Sequence, residues 1–179
     1  MKAQVNNTDV ANRFAAAAQE FCSLVESAAE LDRTGLLTEM YQVLPRLINE
    51  AILLPSIQSS KEDDAIEKQE QSLASPGARM TEEQWGQLYN LLKEKLGDWD
   101  LYWQVFDPTT DKEAVCGTLA DDFADIYRDL KEGLILNEKH LARPEDLIWE
   151  WRLSYFSHWG KHAIDALLTI HFRLQGVLE

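Results

Sequence analysis

The chain is short of cysteine, proline, glycine and positive charge, and each shortage excludes something. Only Cys22 and Cys116 are present, with no Cys-x-x-Cys spacing, which leaves neither a disulfide framework nor a zinc ribbon. Five prolines and eight glycines among 179 residues are too few for a loop-dominated fold. Seventeen basic against thirty-one acidic residues give a formal net charge of −14, which repels phosphate backbones and anionic lipid surfaces. Nucleic acid and membrane are therefore not expected as partners. No apolar run approaches a membrane span, and Met1–Val10 is polar with no apolar signal-peptide core. Two unpaired thiols and no leader predict cytoplasmic residence. Gly-x-Ser-x-Gly, the P-loop, Gly-x-Gly-x-x-Gly and His-Glu-x-x-His are all missing.

What is there is helical. From Thr8 to Leu31 apolar residues recur at Val10, Phe14, Ala17, Phe21, Leu24, Ala28 and Leu31, alternating steps of four and three. Leu36–Leu54 continues the pattern, and Pro45 is expected to break or kink it. Residues 56–80, rich in Ser, Gln, Glu and Lys, predict an exposed loop or partly disordered linker. Thr81 followed by Gln84 is a capping box, and Gly97 closes the helix it opens. Asp98–Val115 is irregular and aromatic, and its rings Trp99, Tyr102, Trp103 and Phe106 are expected to pack under the bundle. Thr118 followed by Asp121 opens another helix, with Gly133 as its expected end. Pro144, Glu145 and Asp146 start the last one. No alternating strand pattern stands out, so the fold expected is all-α: one domain over 1–179, a bundle of about five helices with a long flexible loop at 56–80.

Two helices carry candidate chemistry. Asp121, Asp122 and Asp125 spell the Asp-Asp-x-x-Asp with which isoprenoid synthases hold magnesium and pyrophosphate. Those enzymes need a second acidic motif and a much longer chain, and the helix dipole already accounts for acids in a first turn. All-helical nucleotide pyrophosphohydrolases pair acids three apart on two helices, whereas Asp122/Asp125 and Asp129/Glu132 share one. Asp122, Asp125 and Asp129 do fall on a single stripe with Thr118.

The expected final helix, Glu145–Leu174, holds three of the four histidines and three of the six tryptophans. Ile148, Phe156, Trp159, Ala163, Leu167, Ile170 and Leu174 form its core stripe, and Arg152 falls within it. A buried guanidinium needs a carboxylate or several carbonyls, so Asp122 or Asp125 is the expected partner. Beside this stripe lie Trp151, Tyr155, His158, His162 and Asp165. His158 and His162, four apart, share a helix face and could bind a divalent metal with Asp165; they could equally be hydrogen-bonded residues in an aromatic layer. Gly160 between them suggests close approach of another helix.

The runs Tyr102-Trp103-Gln104-Val105-Phe106-Asp107-Pro108, Gly117–Leu130, Trp149-Glu150-Trp151-Arg152 and His158-Trp159-Gly160-Lys161-His162 together resemble an uncharacterised family of small bacterial domains of unknown function. The likeness lies mainly within Trp99–Phe172, with an echo at Leu44-Pro45. It implies a helical bacterial cytosolic domain and assigns no catalytic role. With no complete catalytic constellation, the leading expectation is a non-enzymatic interaction or scaffold module that needs no cofactor, binds an unknown protein partner, and has homo-oligomer formation open to it. The alternative is a metal-binding protein or metal-dependent hydrolase built on a His/Asp cluster between the last two helices.

Overall fold

Helix termini in this chain follow short-range signals closely. The computed structural model describes residues 6–57 and 79–176, so most of the loop expected at 56–80 lies outside the described residues. Helix α1 spans Asn7–Glu26 and α2 spans Arg33–Leu53. Asn6 caps the first, accepting from the Thr8 amide, and Asp32 caps the second, accepting from Gly35 N at 2.6 Å. A 3₁₀ turn, Ala28–Glu30, joins them, so α1 ends five residues short of Leu31. Pro45 does not break α2, which is helical on both sides of it. Helix α3, Glu82–Leu96, carries the complete Thr81/Gln84 capping box and ends at Gly97, whose φ of 53° suits a residue without Cβ.

The aromatic stretch after α3 contains the only strands among the described residues, which the sequence reading missed. Strand β1, Leu101–Val105, pairs antiparallel with β2, Ala114–Thr118, placing Trp103 opposite Cys116. Tyr102 points into the core, but Trp103 and Phe106 are exposed, so the rings do not all pack beneath the bundle. The alternation escaped notice because residues on both faces of β1 are large and apolar.

Helix α4 spans Leu119–Glu138. Its first amides are met twice: Asp121 N reaches Thr118 Oγ1 at 3.2 Å, and buried Asp100 accepts from Leu119 N and Ala120 N at 3.0 and 2.8 Å. Gly133 does not end α4. It lies beneath the Trp151 indole, where a methyl group on its Cα would collide with the ring nitrogen.

The last long helix is two helices. Helix α5, Pro144–Ser154, runs through a π-turn at Tyr155–Trp159 into α6, Gly160–Gln175. Counting them as one long element gives five helices among the described residues, the number expected. Helix α1 sits against α2, α4 and α5, while α4 packs on α3, α5 and α6. The core is centred on Phe14, whose ring lies 4.8 Å from Trp151 and 6.2 Å from Trp159, and on Phe21 against Phe123. Truncating a fully buried Phe14 to alanine would cost about 3–5 kcal/mol.

Candidate metal centre

The spacing of its aspartates gives α4 one acidic stripe, equally compatible with a solvated face, and packing turns that stripe toward α6. Asp122 and Asp125 are buried there despite their charge, and buried carboxylates need donors. The donors come from four elements. Tyr102 of β1 gives its hydroxyl proton to Asp122 Oδ2 at 2.8 Å, and His162 Nδ1 lies 2.8 Å from Asp122 Oδ1. Trp85 of α3 donates to Asp125 Oδ1 at 2.9 Å, and Arg128 reaches the same oxygen at 2.9 Å. Asp129 Oδ2 accepts from Ser154 Oγ at 2.9 Å and stands 2.8 Å from His158 Nδ1.

This pattern sets the histidine tautomers. An ionised carboxylate only accepts, so Nδ1 of each ring donates, and in the neutral imidazole each Nε2 keeps its lone pair. The two Nε2 atoms converge on Asp125 Oδ2, from 3.9 Å for His158 and 3.8 Å for His162. Neither has a hydrogen-bond partner among the described residues. One ligand atom from each of Asp125, His158 and His162 falls within 4.8 Å of the others. Ligands about 2.1 Å from a tetrahedral ion lie roughly 3.4 Å apart, so the two edges from the imidazoles to Asp125 would each contract by about half an ångström to hold a metal. Asp121, Asp122 and His162 form an overlapping group, but there the Asp122 oxygens are taken up by Tyr102 and His162 Nδ1.

Electrostatics favour protons or a cation at this seam. Burial pushes the Asp122 carboxyl up to about 6 against the opposing bonds from His162 and Tyr102. The Asp122 hydrogen bond raises His162 above its usual value against the cost of burial, helped by the charges of Asp122, Asp125 and Asp121. Desolvation and the neighbouring Asp125 charge raise Asp121 as well. Asp121 and Asp122 therefore hold protons more readily than free carboxyls do.

The other residues named from sequence stand elsewhere. Arg152 meets no aspartate: it donates to the Leu54 carbonyl at 2.8 Å and stacks over Phe156 at 4.7 Å. That carbonyl lies at the end of α2, where the helix leaves its last acceptors unpaired and the dipole is negative, so a cation serves without an acid. Asp165 binds Lys161, which also donates to Gln104. Trp151 packs on Phe14 and Gly133, and Tyr155 stacks edge-on against Trp159 at 4.8 Å. Of the cluster named from sequence, His158, His162, Asp122 and Asp125 come together, and Arg152, Asp165, Trp151 and Tyr155 do not join them. Tyr102, Trp85 and Ser154 went unrecognised; the acidic stripe already contained Asp129, and the other three carry no local signal.

No curated protein matches the chain. A solved structure, protein BF1032 from Bacteroides fragilis, a structural-genomics target, is similar at 22% identity over 89% of this chain and 88% of that one, with a TM-score of 0.69. At that identity the likeness carries the fold alone. Among the described residues no helix is long and apolar enough to cross a membrane. A family model described as a domain of unknown function, DUF5063, matches residues 5–175, and the chain belongs to that family.

Proposed function

We propose that this domain binds a divalent transition metal through His158 Nε2, His162 Nε2 and Asp125 Oδ2. The observation that carries the reading is the pairing of each Nδ1 with its own aspartate while both Nε2 lone pairs turn toward a third. Metal-bound histidines commonly give their other N–H to a carboxylate, which fixes the ring and strengthens it as a ligand. Two imidazoles and a carboxylate suit zinc or iron(II). The free thiols Cys22 and Cys116 agree with residence in the cytoplasm.

Three protein ligands leave coordination positions for water, the arrangement of catalytic rather than structural zinc sites. His158 is two-fifths exposed, so such a water would be reachable. Hydrolysis by metal-activated water is therefore the activity to assay. The test is metal analysis and zinc titration of tag-free protein. Stoichiometric metal lost in His158→Ala and His162→Ala supports the reading, and a metal-free protein that zinc does not stabilise overturns it.

The interaction-module reading retains one observation. Trp103 (76% exposed), Phe106, Phe156, Ile164, Leu168 and Phe172 line two clefts between the hairpin and α6, an apolar grouping of the kind that marks contact surfaces. Light scattering over a concentration series tests self-association. A dimer broken by Trp103→Asp would favour it, and a monomer at all concentrations would count against it.

A further inference from the structure

We infer that the π-turn Tyr155–Trp159, held open by Gly160, is the positioning device of the metal centre; the inference rests on reading His158, His162 and Asp125 as ligands. Two rows of side chains lead to it. Trp151, Tyr155, Trp159 and Ala163 follow one another at intervals of four and are all buried. At about 100° per residue, an unbroken α-helix would carry Ala163 roughly 120° around the axis from Trp151. One extra residue in a wide turn removes about 100° of that drift, and all four side chains then face the core.

The polar row obeys the same arithmetic. Ser154, His158 and His162 would spread over about 80° on a straight helix. With the wide turn between them, Ser154 and His158 share Asp129 while His162 meets Asp122 on the same face of α4. Phe156 supplies the converse: a straight helix places it in the core stripe, yet it is 63% exposed.

Gly160 makes the turn possible. Its amide donates to the Tyr155 carbonyl, the five-residue bond that defines the turn. A side chain at this position would strike that carbonyl and the Tyr155 ring. The close approach at Gly160 is therefore made not by another helix, as expected, but by its own preceding turn. π-turns recur at functional sites because they re-aim side chains without changing the fold around them.

Gly160→Ala is the primary test, read by cobalt(II) titration with the visible absorption of the bound ion and by thermal melting. The expected result is a folded protein whose cobalt affinity falls at least tenfold and whose spectrum loses intensity as one imidazole leaves. Gly86→Ala, on α3 with nothing within 4 Å of the added methyl, is the control and leaves both unchanged. A Gly160→Ala protein with wild-type affinity and spectrum overturns the inference while leaving the metal reading intact. Wild-type protein that binds no cobalt overturns both. Should Gly160→Ala not fold, Phe156→Gln decides: the wide turn keeps this side chain in solvent, so the variant melts near wild type and binds cobalt unchanged. Its unfolding would place Phe156 in the core and overturn the inference.

Discussion

The last two helices and the turn between them have two working faces, and the two lack different things. Toward α4 the aspartates have their donors, and what is left over is a pair of imidazole lone pairs and the indole N–H of Trp151. Toward the hairpin the polar groups satisfy one another through Lys161, Asp165 and Gln104, and what is left over is bare hydrocarbon at Phe156, Ile164, Leu168 and Phe172. Surplus lone pairs call for a cation; surplus apolar surface calls for another apolar surface. One stretch of chain can therefore present a chemical site and a contact face without either intruding on the other.

The sharpest way to break that contrast is His162→Ala. It removes a proposed ligand and strips buried Asp122 of its strongest partner, so zinc binding should disappear and stability should fall by about 2 kcal/mol, the cost of a buried acceptor left unmet; calorimetric titration and thermal melts read the two effects. Asp122→Asn preserves shape but weakens the hold on His162 Nδ1, and zinc affinity should drop 10–100-fold, the usual cost of losing such support. Equal affinity in this variant would mean that the aspartate does not tune the imidazole.

A gentler probe is pH. Asp122, raised from 3.8 to about 6, and His162, raised above 6.5, both hold protons in the folded protein more tightly than in the unfolded chain. The folded state thus binds more protons, and stability from this pair declines as pH rises from about 4, through Asp122 first and then through the raised histidine. Metal-free wild type should lose several degrees of melting temperature more than Asp122→Asn between pH 5 and pH 8. The smallest effect is expected on the other face: Trp103→Ala should change stability by less than about 1 kcal/mol, because the ring is exposed, and should leave zinc affinity alone. A change in affinity there would show that the faces communicate, with Tyr102 of the same strand as the natural route.

How much of this was legible depends on the range of the signal. Thr81, Gln84 and Gly97 announce a helix because capping is settled within four residues. His158 with His162, and Asp122 with Asp125, were legible as pairs because helical periodicity alone places them. Arg152 was misassigned because its acceptor, the Leu54 carbonyl, is an unpaired helix end nearly a hundred residues away, and periodicity says nothing about which chain end arrives there. Asp165 was placed beside the histidines for the converse reason: helix geometry allowed it, while Lys161 on the next turn claimed it. The wide turn was invisible too. It arises where the demands of the core on Trp151 and Ala163 conflict with 3.6 residues per turn, and only tertiary packing states those demands.

The guanidinium that closes α2 has a further consequence. Arg152 holds the chain at Leu54, just before it enters residues 58–78, and Arg79 fastens it again by a two-pronged grip on Glu132 of α4 at 3.1 and 3.2 Å. Departure and return are thus pinned to two helices that pack on each other, α5 and α4. The two anchors therefore set the separation that any connection between α2 and α3 must span.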